Sequence, residues 1–290
     1  MSWRVVIISS CCKLDYKMGY MAVRSKDDVK KIYIDEIATV IVENTAVSIT
    51  ACLMNELVKR KIKIIFCDEK RNPSSEVVSM YGSHDCSAKI KKQIMWDSDI
   101  KAAVWTEIVR EKIEKQSEFL KELNKVNEAE LLDKYISELE FNDCTNREGH
   151  SAKVYFNALF GKDFTRSKDN AVNAALNYGY SILLSAINRE VTANGYLTQL
   201  GLFHDNMFNQ FNLSCDLMEP FRILADRRVR ERGYTVFSSD ERYDMVSILN
   251  SEVSIDSERQ YLMNAIKIYC KSVFEALCEK DISMIKFFEL

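Results

Sequence analysis

"SITACLMNELVKRK", residues 48–61, stands between runs of a different periodicity. Ile49, Leu53 and Leu57 recur every four residues, and Met54 and Val58 widen the stripe, so the segment predicts an amphipathic helix. Before it lie short β-type runs: "WRVVIIS" (3–9), "KLDYKMGYMAV" (13–23) with a turn at Lys17–Gly19, "KIYI" (31–34) and "ATVIVE" (38–43). After it "IKIIFCD" (62–68) returns to strand, and "RNPSSEVVSMYG" (71–82) reads as a turn and another strand. From about residue 86 the pattern is almost entirely helical. Ile100, Val104 and Ile108 form one apolar stripe, and Glu111 and Lys115 are expected as an i,i+4 pair on a solvated face. The expected fold is α+β in two domains. A small, mainly β N-terminal domain with one helix spans 1–85, and a larger all-α catalytic domain spans 86–290. No internal repeat is visible.

The 290 residues suit one or two domains. Apolar content of 47% and charged content of 29% fit a globular chain able to bury a core. With only 8 Gly and 2 Pro there is little room for a long linker. The formal net charge of −3 argues against a protein that coats nucleic acid through overall basicity. Charge is uneven, however. Residues 106–143 carry 11 acidic and 6 basic residues, an unpromising DNA surface, whereas 222–232, "RILADRRVRER", holds five Arg and two acids. From charge alone that second segment reads first as a salt-bridged, solvated helix. The nine cysteines form no C-x-x-C pair, which excludes a zinc ribbon, and several lie in apolar runs, as reduced core thiols do. "MSWRVVIISSCC" lacks signal-peptide order, and no apolar run reaches the roughly 18 residues of a membrane span. A cytoplasmic location is expected.

The chain has no G-x-x-x-x-G-K-[ST] loop, no G-x-S-x-G elbow and no H-E-x-x-H helix. Two segments remain: "CTNREGHSAKVYFNALFG" (144–161) and "GLFHDNMFNQFNLSCDLMEPFR" (201–222). Both fit capping boxes, with Thr145 as N-cap and Glu148 at N3, and with Asp216 as N-cap and Glu219 at N3 ahead of Pro220. On that reading His204 is a half-buried structural histidine. The competing reading uses the same geometry. Two rigid helix starts facing one another, with a histidine between, supply two carboxylates and an imidazole, a donor set for Mg²⁺ or Mn²⁺ of the kind used in phosphoryl transfer. His150, two residues from Glu148, points to another helix face, and His84 lies at the domain junction; both are weaker ligand candidates.

"NREGHSAKVYFNALFG", "NAALNYGYSILLSAINREV", "GLFHDNMFNQFNLSCDLMEPFR" and "IIFCDEKRNPS", in this order and spacing, resemble the CRISPR-associated integrase of the adaptation step, most closely its compact type II branch. The resemblance covers essentially the whole chain. It implies a metal-dependent DNA integrase, or endonuclease, that inserts short prespacer DNA into a CRISPR array by 3′-hydroxyl transesterification. It places the metal ligands and catalytic groups at Glu148, His204 and Glu219, with Asp216 as a supporting acid, and Mg²⁺ or Mn²⁺ as the ion. Many relatives carry Asp where this chain has Glu219, which lengthens the side chain and moves its carboxylate. The implied partners are double-stranded DNA (prespacer and repeat or leader), a second copy of this chain, and a small ferredoxin-like CRISPR-associated protein in a heterohexamer. A type II adaptor and an RNA-guided effector nuclease assist. Phosphate contacts are expected from Arg147, Lys153, Arg166, Arg189 and Arg222. Arg222 is the first choice, three residues past Glu219; an ion pair with Asp226 is its competing role. Two alternatives stay open: a structure-specific DNA endonuclease acting on branched or repair intermediates, and a non-catalytic DNA-binding scaffold.

Overall fold

The computed structural model describes residues 4–77 and 83–290. The N-terminal region is β-rich: β1 (Arg4–Ile8), β2 (Lys13–Lys17), β3 (Tyr20–Arg24), β4 (Val29–Tyr33), β5 (Ile37–Val42), β6 (Ser48–Ile49), α1 (Ala51–Lys59), β7 (Lys63–Cys67) and β8 (Pro73–Glu76). The strands form two sheets, ordered β1-β5-β7-β8 and β4-β3-β2-β6. In the first, β1, β5 and β7 are parallel and β8 adds antiparallel. The second is built on the β2–β3 hairpin, whose two-residue turn has positive φ at both Met18 (+50°) and Gly19 (+85°). That backbone matches the twist of paired strands. Within "RNPSSEVVSMYG", read as a turn and a strand, a strand is present as β8 at Pro73–Glu76; residues 78–82 lie outside the described residues.

All six residues of β5 are buried, which an unbroken "IATVIV" run implies for a strand covered on both faces. Val40, Val42 and Ile64 face a core shared with Leu14, Met21, Leu53 and Leu57, so α1 and the second sheet lie on one side. Ala38, Ile41 and Ile65 belong to the large core of the helical region on the other. Leu53 and Leu57 of α1 are buried as the spacing predicts, but Ile49 lies in β6 ahead of the helix, because Thr50 caps it by accepting the Leu53 amide at 3.3 Å.

The rest is helical: α2 (Cys86–Ile94), α3 (Ser98–Glu122), α4 (Val126–Ser137), α5 (Arg147–Phe160), α6 (Ala171–Ala193), α7 (Asn212–Met218), α8 (Arg222–Arg232), α9 (Ser239–Val246) and, after two strands, α10 (Leu262–Glu279). Those strands, β9 (Glu252–Ile255) and β10 (Glu258–Tyr261), join β11 (Phe288–Glu289) in a small antiparallel sheet ordered β10-β9-β11. This corrects the all-α expectation at one edge. Helices α6 and α8 pack closely at Gly179, where a Cβ would collide with Met245 and lie 2.9 Å from the Ala225 methyl. The 25-residue α3 runs through the core, and Ile100, Val104 and Ile108 are buried as predicted. Lys115 corrects the reading of a solvated face: it pairs with Glu111 at 2.6 Å, but only 5% of its side chain is exposed. Among the described residues no helix is long and apolar enough to cross a membrane.

Candidate active site

Glu148, His204 and Glu219 come from three separate chain segments and line one cavity of about 260 Å³, together with Lys112 and Gln116 of α3. Each is positioned by a local structure that differs from a capping box. Helix α5 begins at Arg147, after a turn in which Asn142, Asp143 and Asn146 all have left-handed φ (+62°, +47° and +54°), a conformation Asn and Asp tolerate best. The buried Asp143 carboxylate accepts the amides of Arg147 (2.6 Å) and Glu148 (3.1 Å), satisfying two donors at the helix start. Thr145 is therefore not the cap. Its hydroxyl is buried without a partner, and Glu148, at the second helical position, is left to face the cavity.

The second capping expectation is corrected in the same way. Asp216 lies inside α7, wholly buried, and its carboxylate accepts the amides of Leu202 (2.6 Å), Phe203 (3.2 Å) and His204 (3.1 Å). Gly201 makes this wrap feasible, since a Cβ there would meet the His204 carbonyl and stand 2.9 Å from Asp216 Oδ2. The same carboxylate lies 2.6 Å from His204 Nδ1. An ionised Asp216 assigns the proton to Nδ1 and leaves the Nε2 lone pair free, the arrangement a ligating imidazole needs. The hydrogen bond to Asp216 raises the His204 pKa, against the opposing pull of burial. Trp105 completes the support, stacking on Phe203 at 4.6 Å and meeting the His204 ring edge-on at 5.7 Å.

Glu219 opens the short 3₁₀ turn Glu219–Phe221 between α7 and α8, where Pro220 breaks the helix and fixes the turn. Its side chain is 4% exposed. Burial would raise its pKa, but the Arg222 guanidinium at 2.9 Å and the Lys112 ammonium at 2.5 Å overcome this and hold it down to about 2. Lys112 Nζ also donates to Glu148 Oε1, so one ammonium bridges both carboxylates. Burial acts to lower the Lys112 pKa, and Glu219 and Glu148 more than reverse it. Among the described residues no three His, Cys, Asp or Glu side chains stand close enough to enclose a cation as they are; Lys112 lies between the two glutamates.

The cationic candidates separate by place. Arg166 and Arg222 line the cavity and flank the Tyr180 ring at 5.2 and 4.6 Å. Arg166 is held by Asn173 (2.8 Å) and Asn177 (2.6 Å), and Arg222 pairs with Glu219, not with Asp226. Arg147 is tied to Glu138 at 3.0 Å, and Lys153 is exposed on α5. Arg189 lies at the junction with the β-rich region, donating to the Lys61 carbonyl at 2.9 Å. In the 227–232 cluster Arg227 pairs with Glu122, and Arg228 and Arg232 with Asp244, as the salt-bridged reading holds. The sequence reading missed Lys112, Gln116 and Tyr180, and named Asp226 only as an ion-pair partner for Arg222. Asp226 sits beside the cavity wall, accepting the Tyr180 hydroxyl, and burial pushes its pKa up to about 6.

Residues 5–232 match the family described as CRISPR associated protein Cas1. A CRISPR-associated endonuclease Cas1 from Neisseria meningitidis serogroup C is 32% identical over all of this chain and 97% of its own length. Another, from Francisella tularensis subsp. novicida, is 26% identical over 90% of this chain and 89% of its own. Among solved structures, a casposase bound to integration product superposes with a TM-score of 0.76 at 15% identity, covering 98% of this chain and 93% of that one. A Cas6-RT-Cas1–Cas2 complex gives 0.74 at 17% identity, covering 97% of this chain and 36% of that one.

Proposed function

Because this chain belongs to the Cas1 family, we propose that it is an integrase of CRISPR adaptation, joining the 3′-hydroxyl ends of a short DNA duplex to phosphodiesters of the array. The observation that carries the reading is the convergence of Glu148, His204 and Glu219 on one cavity from positions far apart in the chain. Two carboxylates that already share one cation, and an imidazole with Nδ1 engaged, make a donor set suited to Mg²⁺ or Mn²⁺. Such an ion, once bound, supplies Lewis acidity for attack by an oxygen nucleophile and charge neutralisation at phosphorus.

The chain's own groups do the rest. Asp216 fixes the His204 ring, and Glu219 stays ionised because Arg222 and Lys112 face it. Arg166 and Arg222 are positioned to meet phosphate oxygens at the cavity, with Tyr180 between them. The reaction forms a P–O bond to the incoming 3′-oxygen and breaks one to the departing 3′-oxygen. It conserves the number of phosphodiester bonds, and neither ATP nor a covalent enzyme intermediate is required. A structural neighbour that sits in a Cas6-RT-Cas1–Cas2 complex is in keeping with a CRISPR-associated partner protein; a homodimer as the working unit and double-stranded DNA as the substrate are part of the same proposal.

Glu148→Gln keeps the shape and removes the charge. It is expected to lower strand joining by at least ~100-fold in a labelled-duplex gel assay, with an unchanged circular dichroism spectrum; normal joining would sink the assignment. The relatives' endonuclease names favour a second reaction at the same site, with water replacing the 3′-hydroxyl. Branched DNA separates the two reactions, since hydrolysis yields shortened strands and transfer yields recombined ones.

A further inference from the structure

We propose that Lys112 and Gln116 form a displaceable counter-cation device: Lys112 fills the metal-free centre, and Gln116 receives its ammonium when a divalent ion takes the carboxylates. This rests on the ligand reading given above. Lys112 Nζ lies between Glu148 and Glu219, and its side chain is 7% exposed. Glu219 is buried and Glu148 is 30% exposed; two carboxylates facing one cavity repel each other without a cation, so the ammonium between them stabilises the pair. The same geometry competes with an ion, because one oxygen of each carboxylate is turned toward Nζ.

Gln116 supplies the second half. It lies one turn further along α3, on the face that carries Lys112, and lines the same cavity at 3% exposure. Its Oε1 is buried, and among the described residues no group donates to it. A buried amide oxygen without a donor is costly; Lys115 at i−1 is engaged elsewhere, and the ammonium at i−4 lies on the same helix face, within reach along the helix. The unpaired oxygen is accounted for if Nζ has two stations: the two glutamates when the centre is empty, Gln116 when it is loaded. Positive charge then remains beside the centre after the exchange, without being expelled into the core.

The test is calorimetric titration of the full chain with Mn²⁺ alone, beside thermal unfolding in EDTA and in Mn²⁺. Lys112→Met should tighten Mn²⁺ binding by tenfold or more, lower the melting temperature in EDTA and recover it in Mn²⁺. Lys112→Arg, which keeps the bridging charge, should stay near the wild-type dissociation constant. Gln116→Met leaves every charge in place; it should weaken Mn²⁺ binding three- to tenfold, and should lose that effect in the Lys112→Met background. An unchanged Mn²⁺ affinity in Lys112→Met overturns the displacement. An equal effect of Gln116→Met in both backgrounds overturns the second station. Absence of Mn²⁺ binding in every variant, or binding that survives Glu148→Gln, overturns the ligand reading itself and this proposal with it.

Discussion

Helix α3 buries two lysines almost next to each other, and they do opposite things. Lys115 Nζ pairs with Glu111 on its own helix, donates to the Phe288 carbonyl of β11, and sits 4.3 Å from the Phe288 ring centre. Phe288 is itself 1% exposed and stacks on Phe221 at 4.7 Å. Among the described residues no backbone carbonyl accepts from Lys112 Nζ. Both of its acceptors are carboxylates at a cavity, one at the start of α5 and one in the turn between α7 and α8. Lys115 is held by one carboxylate of its own helix and by the carbonyl and ring of Phe288, with no second carboxylate from another described segment bonded to it, so it serves as a tether for the C-terminal strand. Carboxylates can exchange partners, so Lys112 is bound and yet replaceable. Equal burial of charge therefore says little about its role until the acceptors are named.

The sharpest way to break this contrast is Lys115→Met. It would strand Glu111, whose pKa burial already raises, and leave the Phe288 carbonyl without its donor. Removing one partner of a buried pair costs about 3–5 kcal/mol. The loss, read by urea denaturation, should be the same in EDTA and in Mn²⁺. A loss that Mn²⁺ repairs would erase the distinction between the two lysines.

A buried charge without a bonded cation extends the comparison. Asp226 follows Arg222 by one turn of α8, yet Arg222 bonds Glu219 instead, and Asp226 accepts the Tyr180 hydroxyl. Burial raises its pKa from 3.8 to about 6. Between those values the folded chain holds a proton that the unfolded chain has lost, so stability falls as pH rises from about 4 to 6 and stays lower above. Asp226→Asn should remove that penalty. It should gain on the order of 2–3 kcal/mol at pH 7.5 and little at pH 4, measured by denaturant unfolding at both. An equal gain at both pH values would mean that the carboxylate carries no such cost.

Asp216 shows how a fully buried carboxylate is accommodated when it is paired: three amides and an imidazole nitrogen share its two oxygens. Asp216→Asn removes the charge that fixes the His204 tautomer. Mn²⁺ affinity should fall about 10–100-fold while Lys115-dependent stability is untouched. Unaltered affinity would separate His204 from the ion.

The sequence reveals these differences unevenly. Run length exposes the buried strand β5 and the four-residue stripe exposes α1, because each packs apolar residues into the core, whereas the two-residue β6 reads in sequence as part of the helix that follows it. The sheet β10-β9-β11 escapes notice: β11 is two residues long, and its partner lies more than thirty residues earlier. "TNRE" and "DLME" have the letters of capping boxes, but Asp143 claims the first helix start and a distant loop claims Asp216. The reciprocal box forms instead at Ser238 and Glu241. Spacing alone leaves Glu148, His204 and Glu219 divided between capping and ligation; family resemblance groups them, and the fold brings them to one cavity. Lys112 and Gln116 did leave a signal. The stripe Ile100, Val104, Ile108 continues by fours through both of them to Leu120. A lysine and a glutamine on an apolar stripe are buried polar groups in need of partners, and those partners come from α5 and the α7–α8 turn.

The smallest expected effect belongs to the basic cluster. Arg227 makes a two-pronged pair with Glu122 at 2.5 and 2.7 Å and lies 4.4 Å over the Phe119 ring, but Glu122 is 53% exposed. Solvent and salt screen such a pair, so Arg227→Ala should cost about 1 kcal/mol or less, and less still at high ionic strength. Its guanidinium is already neutralised by Glu122, so DNA affinity and its salt slope should be unchanged, whereas Arg166→Ala, at the cavity, should weaken binding and flatten the slope. Fluorescence anisotropy of a labelled duplex across a salt series decides it: if Arg227→Ala flattened the slope as much as Arg166→Ala, the salt-bridged helix would have to be counted part of the DNA surface after all.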